Sequence, residues 1–386
     1  MFSSRVPAEL EPNRLTQAVR RVRADGRPLI DLTITNPTHA GIDYPSGILA
    51  PLSDPAALSY DPHSTGLPDA RVAVARDYVR HGINVAPDRI VLTASTSEAY
   101  SILFKLLCAP AGEAILAPVP SYPLFDHLTR LDGVRCIPYR LEYHGRWAVD
   151  FDSIADSWNP HVRALLAVSP NNPTGSIVTP EELQRLGDIC AAGNAALVID
   201  EVFADYPIAA RSTRASTSFA CLTFRLGGLS KSAGLPQVKL GWIAVDGPHD
   251  LVGDALERLD LICDTYLSVS TPVQVAASSL IRAGAAVRAS ILDRIRANDA
   301  ALRSLAAAYS SIDVLPCEAG WSVVLRVPST RSEEALVLEL LEQDGVLIHP
   351  GFFFDFPHEA FLVVSLLPEP PLFSEGVARV LERAHA

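Results

Sequence analysis

From residue 69 onward, short apolar runs alternate along the chain with segments whose apolar residues have helical spacing. Short apolar runs that are rich in branched residues are typical of buried strands. They are IVLT (90–93), AILA (114–117), VRCIPY (134–139), ALLAV (164–168) and ALVI (196–199). Segments with helical spacing lie between several of these runs. This alternation predicts an α/β domain with a mostly parallel central sheet.

Two predicted helices carry clear end signals. The first begins at Ser97, and its apolar residues share one face: Ala99, Ile102, Leu103, Leu106 and Leu107. In the second, Thr179 is a candidate N-cap, Pro180 takes the first helical position and Glu182 completes a capping box. Gly193 stands just past the predicted end of this helix.

The pattern changes after about residue 246 to long helical runs, one of which covers residues 286–309. A strand-like segment, WSVVLRV (321–327), and a final α/β segment follow it. This change predicts a second, smaller lobe. No repeat or low-complexity linker stands between the two parts, so we expect the lobes to be tightly joined.

Composition and charge exclude several classes of function. The chain has 386 residues and is 48% hydrophobic, which suits two lobes and is too apolar for disorder. Its 44 acidic residues outnumber the 32 basic ones, and the net charge of -12 predicts no nucleic-acid partner. The 6 cysteines form no CxxC pair or histidine cluster, so we expect no metal site and a reducing compartment. No apolar stretch approaches the ~18 to 20 residues of a membrane span, which predicts a soluble cytoplasmic protein without a membrane segment.

Hydroxyl residues follow the first predicted strand, in LTASTSEAY, where Ser95, Thr96 and Ser97 stand at a helix start. Hydroxyls and free N–H groups at such a position suit a phosphate. Serine is also an ordinary helix N-cap, which is the commoner explanation for this segment taken alone.

Two further loops follow predicted strands. Tyr122, in PVPSYPLF, offers a ring that could stack on a flat heteroaromatic group, and packing on the core explains it equally well. The segment SPNNPTG (169–175) places Asn172 at the edge of the crevice, and its composition exceeds what a simple turn requires.

An acid and a lysine complete the set. Asp200 ends the apolar strand of ALVIDEV, where a side chain points into the crevice that binds ligands in α/β sheets. Lys231 lies in GGLSKSAGL, a stretch with no other charge. A lysine shielded from water loses proton affinity and becomes a nucleophile, whereas a surface lysine in a flexible loop is the alternative.

Together the five segments resemble the class I/II aminotransferases of pyridoxal-5'-phosphate (PLP) fold type I, from about Asn36 to the C-terminus. The resemblance implies that Lys231 holds PLP as a Schiff base, that Asn172 bonds the ring hydroxyl and that Asp200 pairs with the ring nitrogen. It implies a large PLP-binding domain (46–272) and a small C-terminal domain with an interdomain helix (273–386). The N-terminal segment (1–45) is expected to belong to the small domain.

The same resemblance extends to other positions. Ser95, Thr96 and Ser97 match the segment that holds the phosphate, and Ser230 matches the serine before the lysine. Tyr60 matches a tyrosine that reaches the phosphate of the neighbouring subunit, within a family segment that Gly66 and Arg71 complete, so the resemblance implies a homodimer. GVLIHPGFFF (345–354) resembles the Pro-Gly motif of the small domain.

The implied activity is transfer of an amino group from an amino acid or related amine to a 2-oxo acid, with PLP as the cofactor. A β-lyase, decarboxylase or racemase shares the fold and the lysine, and remains an alternative. A non-catalytic PLP-fold module is a remote alternative, because the ~35 residues before Asn36 are too short for the DNA-binding unit of such regulators.

Three positions depart from the family pattern. Lys239 replaces an arginine that clamps the phosphate, so charge is kept and bidentate geometry is not. Phe203 replaces a tyrosine that bonds the ring hydroxyl, and Tyr206 or water could supply that bond instead. Val363 replaces the arginine that holds the substrate α-carboxylate in the family, which leaves that carboxylate without its usual partner.

Two residues are candidate substitutes for that arginine. Arg326 shares the face of Ser322 by strand alternation, although a surface strand end explains it equally well. Asn36, in TNPTHAG, is the other candidate for the substrate site. His63 lies in the segment between Tyr60 and Arg71, and His349 lies in GVLIHPGFFF. We expect each to be a structural histidine with its hydrogen bonds satisfied.

Overall fold

The computed structural model describes residues 2–110, 112–209 and 218–386. The strands are β1 (Ile30–Asp31), β2 (Ile90–Thr93), β3 (Ala114–Val119), β4 (Arg135–Tyr143), β5 (Trp147–Val149), β6 (Val162–Val168), β7 (Ala196–Asp200), β8 (Thr223–Gly228), β9 (Gly241–Asp246), β10 (Asp313–Val314), β11 (Ser322–Arg326), β12 (Val346–Leu347), β13 (His349–Pro350) and β14 (Phe361–Ser365). The α-helices are α1 (Arg14–Ala24), α2 (Pro68–Val79), α3 (Thr96–Leu107), α4 (Leu124–Asp132), α5 (Phe151–Ser157), α6 (Pro180–Ala192), α7 (Leu229–Ser232), α8 (His249–Tyr266), α9 (Thr271–Ala306), α10 (Glu333–Glu342) and α11 (Pro370–His385).

The large sheet has the strand order β2-β9-β8-β7-β6-β3-β4-β5 in the described part of the chain. The run from β8 to β4 is parallel, whereas β9 is antiparallel to both of its neighbours and β5 is antiparallel to β4. The predicted mostly parallel sheet is therefore confirmed. Because the carboxyl ends of β6, β7 and β8 lie at one edge, the loops that follow them meet there.

Alternate residues of the central strands enter two different cores. Leu166 and Val198 pack with Leu103 of α3 in one core. Leu165 and Leu197 pack with Leu186 of α6 in the other. Burial on both faces explains why these strands are continuous apolar runs in the sequence.

The predicted ends of α6 are confirmed. The Thr179 hydroxyl accepts a hydrogen bond from the Glu182 backbone N–H at 3.2 Å, and the Glu182 carboxylate accepts one from the Thr179 N–H at 2.8 Å. Gly193 is the residue at the C-terminal cap. Helix α3 begins at Thr96, one residue before the predicted start, because the Ser95 hydroxyl caps the Glu98 N–H at 3.2 Å.

The N-terminal segment packs on the C-terminal part of the chain. β1 pairs in parallel with β12, and the Ser365 N–H donates to the Leu32 carbonyl at 2.8 Å. Leu15 and Val22 of α1 join a core that includes Val337 of α10. These contacts support the assignment of residues 1–45 to the small lobe, and the domain boundaries stay a prediction.

Helix α9 is, in the described ranges, the one helix long and apolar enough to cross a membrane by length and composition. It contacts α2 and α11, and Val287, Ile291 and Ile295 on one face are fully buried in the small-lobe core. The spacing of four residues between these side chains is that of a helix face packed on other elements. We interpret α9 as a core helix.

Candidate active site

A cavity of about 270 Å³ lies between the carboxyl edge of the large sheet and the small lobe. The residues that line it from the large lobe include Thr96, Ser97, Tyr100, Tyr122, Leu124, Phe125, Asn172, Asp200, Phe203 and Lys231. The residues that line it from the N-terminal segment and the small lobe are Thr33, Thr35, Trp321, Ser322, His349, Phe354, Val363 and Ser365.

Lys231 enters the cavity from α7, directly after β8. Its Nζ lies 4.9 Å from the centre of the Trp321 ring and 5.5 Å from that of Phe203. The Tyr206 hydroxyl fixes the backbone here, because it donates to the Lys231 carbonyl. Burial lowers the pKa of the Lys231 amine to about 8, while the charge of Asp200 acts in the opposite direction. A substantial fraction of this amine is therefore neutral, and nucleophilic, near physiological pH.

Asp200 is the last residue of β7 and is buried at the same cavity. The Tyr100 hydroxyl donates to its Oδ2 at 2.7 Å, and the Val202 N–H donates to its Oδ1 at 3.0 Å. Burial raises the pKa of Asp200, and these two hydrogen bonds only partly offset the effect. A cationic N–H beside this carboxyl would stabilise its ionised form.

The start of α3 contributes an anion site. Thr96 and Ser97 line the cavity from the first turn, where backbone N–H groups have no partner within the helix. Ser95 serves as the N-cap instead, so its hydroxyl is already engaged with the Glu98 N–H.

The loop after β6 is a rigid turn that presents Asn172. The neighbouring Asn171 is buried, and its side-chain oxygen accepts from the Thr174 hydroxyl at 2.9 Å. Gly175 has φ +66°, and a Cβ there would lie 2.3 Å from the Cys317 Sγ, so only glycine fits. The loop therefore holds its shape with Asn171 and Thr174 and leaves Asn172 lining the cavity.

The small-lobe wall contains Val363, which is buried, and His349, its partner across the antiparallel pair β13–β14. The Nδ1 of His349 is buried without a hydrogen-bond partner among the described residues. The expectation of a satisfied structural histidine is therefore wrong for His349. His63 differs, since its Nε2 lies 3.2 Å from the Asp61 carboxylate at the surface.

The structure corrects the two predicted substrate residues. Arg326 ends β11 beside Asp313 of β10, and its guanidinium pairs with that carboxylate at 2.5 Å on the surface. Ser322 lines the cavity, but Arg326 lies four residues further along the same extended strand, about 13 Å from Ser322. Asn36 is exposed, and its side chain caps a short 3-10 turn by accepting from the Thr38 N–H at 3.1 Å. Thr33 and Thr35 line the cavity in its place.

The remaining predicted cofactor residues lie outside the lining of this single chain. Ser230 precedes Lys231 on α7, and Lys239 is exposed in a left-handed conformation with φ 59°. Tyr60 is 73% exposed on a loop that contacts α8. The Tyr206 hydroxyl is engaged by the Lys231 carbonyl, so Tyr206 does not supply the hydrogen bond to the cofactor ring that the Phe203 side chain cannot make.

Tyr100, Trp321 and Ser322 are among the cavity residues that sequence reasoning did not identify. Tyr100 reaches Asp200 from one helical turn beyond Thr96, which i to i+4 spacing on α3 could have indicated. Trp321 and Ser322 come from a distant part of the chain, and no local signal marks either as part of this site.

These groups fit PLP. A phosphate suits the first turn of α3, a carbonyl carbon suits the partly neutral Lys231 amine, and a basic ring nitrogen suits the buried Asp200 carboxyl. Asn172 and Tyr122 add an amide and an aromatic ring to the same cavity.

Comparison with known proteins places the chain in a family. The model of aminotransferase class I and II matches residues 39–370. The chain is 26% identical to the glutamate-pyruvate aminotransferase AlaA of Haemophilus influenzae over 375 residues, 93% of this chain and 91% of that protein. It is 31% identical to the valine–pyruvate aminotransferase of Mycobacterium tuberculosis over 300 residues, 75% of this chain and 74% of that protein.

The fold agrees with this match. The structure of alanine aminotransferase from Pyrococcus furiosus superposes with a TM-score of 0.90 at 22% identity, and the match covers 99% of each chain. The predicted PLP fold type I is thereby confirmed. The chain therefore belongs to the class I and II aminotransferases, the family that its sequence resembles, and it is a PLP-dependent enzyme of that family.

Proposed function

We propose that this aminotransferase exchanges an amino group between an amino acid with an apolar side chain and a small 2-oxo acid, with PLP bound covalently to Lys231. The observation that carries the proposal is the meeting of the Lys231 amine and the Asp200 carboxyl in one largely apolar cavity. Relatives that act with pyruvate on glutamate or valine, by their names, support the small acceptor.

The chain's residues divide the work. PLP, when bound, supplies an electron sink for the electrons left on the substrate Cα. Asp200 would hold a proton at the ring nitrogen, and Tyr100 orients that carboxylate by its 2.7 Å hydrogen bond. The Lys231 amine would take the proton from the substrate Cα and deliver it to the cofactor carbon bonded to the substrate nitrogen. Asn172 would orient the cofactor from the loop that follows β6, and Thr96 and Ser97 would do so from the first turn of α3.

The chain offers an unusually clean test of the covalent site. Its only lysines are Lys105, Lys231 and Lys239. Borohydride reduction of the PLP-loaded protein, followed by peptide mass spectrometry, is expected to find the cofactor on Lys231 alone. Lys105→Ala is the matched control, since Lys105 pairs with Asp132 outside the cavity. Label on Lys105 or Lys239 would contradict the assignment.

A donor and acceptor panel tests the substrates. Valine with pyruvate, and alanine with 3-methyl-2-oxobutanoate as the reverse of that exchange, are expected to give the highest kcat/KM. Aspartate is expected to give the lowest, because the cavity lining in the described residues has no arginine that could pair with a second carboxylate. Ammonia and CO₂ are measured in parallel, since their release in place of amino transfer would indicate β-lyase or decarboxylase activity. A preference for aspartate would contradict the proposed donor class.

We also propose that the enzyme is a homodimer in which Tyr60 reaches the partner's PLP phosphate. Tyr60 and Leu58, two residues apart, are 73% and 90% exposed, and Tyr60 lines a surface pocket with Leu267, the residue after α8. Burial of such exposed apolar side chains between two copies is favourable. Mixing Lys231→Ala with Tyr60→Ala protein should restore activity through hybrid dimers, and sedimentation velocity reports the assembly. A monomer with full activity would contradict this proposal.

We propose a cytoplasmic location on chemical grounds. All six cysteines are free thiols, and five of them are buried. Thiols without disulfides suit a reducing compartment. Fractionation of the native host, with blotting for the protein, is the direct measurement.

A further inference from the structure

We infer that His349 binds the carboxylate of the amino-acid and 2-oxo-acid substrates, from the small-lobe wall of the cavity. This inference rests on the proposed function, because it assigns a partner to a group that both substrates carry. It adds a specificity-determining residue at a position that is not one of the cofactor contacts.

The first step concerns strand geometry. His349 lies directly opposite Val363 in the antiparallel pair β13–β14, and Ser365 lies two residues further along β14. Opposed residues, and residues two apart, project from the same face of a sheet. The imidazole therefore stands beside Val363 on the face that closes the cavity, and all three residues line it.

The second step concerns charge. Of the described residues that line the cavity, only Lys231 and His349 can carry a positive charge. Lys231 is committed to the cofactor and to proton transfer. A carboxylate that enters a largely apolar cavity needs a cationic or N–H partner, and His349 can supply both.

The third step concerns the other polar groups on this wall. The Ser365 hydroxyl already donates to the Ile34 carbonyl, and it accepts from the Leu367 N–H at 3.3 Å. The Trp321 ring lies over the Lys231 Nζ at 4.9 Å, and its Nε1, which is buried without a partner in the described residues, is an uncharged donor. The buried Nδ1 of His349 also has no partner in the described residues, and His349 can in addition carry a positive charge. An unpaired buried nitrogen destabilises the fold, so its presence at a substrate cavity indicates a partner that arrives with the substrate.

The surroundings tune the histidine for this role. Burial lowers the pKa of His349, and the charge of Asp31 on β1 opposes this effect. Phe353 and Phe354 pack with the imidazole at ring-centre distances of 5.8 Å and hold it in place. An imidazole in such a site donates a hydrogen bond when neutral and gains charge when a carboxylate approaches.

The test measures binding without requiring turnover. The PLP-loaded protein is titrated with 4-methylpentanoate and with its uncharged analogue 4-methylpentanamide, and the change in visible absorbance gives each Kd. His349→Phe keeps the ring packing and removes the polar nitrogens, so it is expected to weaken carboxylate binding by about 10-fold or more and amide binding by less than about twofold.

Two further variants make the test decisive. His349→Gln keeps an N–H donor without charge, so its Kd for 4-methylpentanoate is expected to lie between those of the wild type and His349→Phe. If the phenylalanine variant does not fold, the comparison of His349→Gln with the wild type decides the question. His144→Phe is the matched control, because His144 pairs with Glu142 at the surface, outside the cavity. Equal effects of His349→Phe on acid and amide, or no effect on either, would overturn the inference.

The outcome is separable from that of the proposed function. Selective loss of carboxylate binding in His349→Phe, in a protein that transaminates none of the panel donors, contradicts the proposed substrates alone. Turnover of alanine with unchanged carboxylate affinity in His349→Phe contradicts the role of His349 alone.

Discussion

The two walls of the cavity differ in charge. The large-lobe wall holds an acid and a base, Asp200 and Lys231, and each has its ionisation altered by burial. The wall formed by the small lobe holds Trp321, Ser322, Val363 and His349, of which only the histidine can gain a positive charge. The large-lobe wall therefore contains the reacting groups. Substitutions in the small-lobe wall can change which substrate is preferred without changing the reaction.

The largest expected effect tests the reacting wall. Lys231→Ala should lower kcat by about 10²- to 10⁴-fold, because a group that moves a proton in the transition state contributes this much. The mutation removes little packing, so circular dichroism and the thermal midpoint should stay close to those of the wild type. Retention of more than a tenth of the wild-type kcat would show that Lys231 is not a reacting group, and that the large-lobe wall does not differ from the other in this way.

A pH series on the apoprotein tests the environment of the same lysine. Burial lowers the pKa of Lys231 to about 8, and only the neutral amine attacks a carbonyl. The rate of recombination with PLP should therefore fall by about tenfold per pH unit below 8 and level off above it. Stopped-flow absorbance measures this rate, and a plateau reached only above pH 10 would show an ordinary exposed amine.

Removal of the Tyr100 hydroxyl should have a smaller effect. Tyr100→Phe takes away a 2.7 Å hydrogen bond from the Asp200 carboxylate, which raises the pKa of that acid further. We expect kcat to fall by roughly tenfold, since a hydrogen bond to a charged group contributes about 1.5 to 3 kcal/mol.

The control is Tyr139→Phe. Tyr139 is also buried, and its hydroxyl donates to the Leu166 carbonyl at 2.8 Å, away from the cavity lining. That variant should lose stability and keep its kcat. Equal losses of kcat in both tyrosine variants would mean that Tyr100 acts only through stability.

The smallest expected effect comes from Phe203, whose ring packs edge-on against Trp321 at 5.4 Å. Phe203→Tyr adds a hydroxyl to the wall beside Lys231 and should lower the pKa seen in the visible absorbance of the PLP-loaded enzyme. The shift should be about one unit or less, the worth of one hydrogen bond. An unchanged or higher pKa in a spectrophotometric titration would place the new hydroxyl away from the cofactor.

Local sequence signals predicted the parts of the fold that local forces determine. β2 matches its predicted bounds, and the capping box of α6 has the predicted hydrogen bonds. Strand β8 was not predicted, although it lies in the middle of the large sheet. It contains Arg225, whose charge argues against a buried strand until Glu201, 24 residues away, is found to pair with it at 2.6 Å.

The site shows the same division between local and distant information. Asp200 ends one strand of the parallel run, and Lys231 and Asn172 each follow another strand of it, so their positions along the chain predict that they lie near the same edge. His349 and Arg326 could not be distinguished in this way. Strand alternation gives a face but not a distance from the cavity, and the pairing of His349 with Val363 depends on the register of β13 against β14.

The hydrogen bonds between the N-terminal segment and β14 have a consequence for motion. The Ser365 N–H and hydroxyl donate to the carbonyls of Leu32 and Ile34, which flank Thr33. Thr33 therefore belongs to the same hydrogen-bonded unit as His349 and Ser322. Any hinge displacement of that unit against the large sheet would widen or narrow the cavity while the spacing among these three side chains stayed constant. Substrate contacts on this unit would then be made or released together, and the groups around Lys231 would keep their positions.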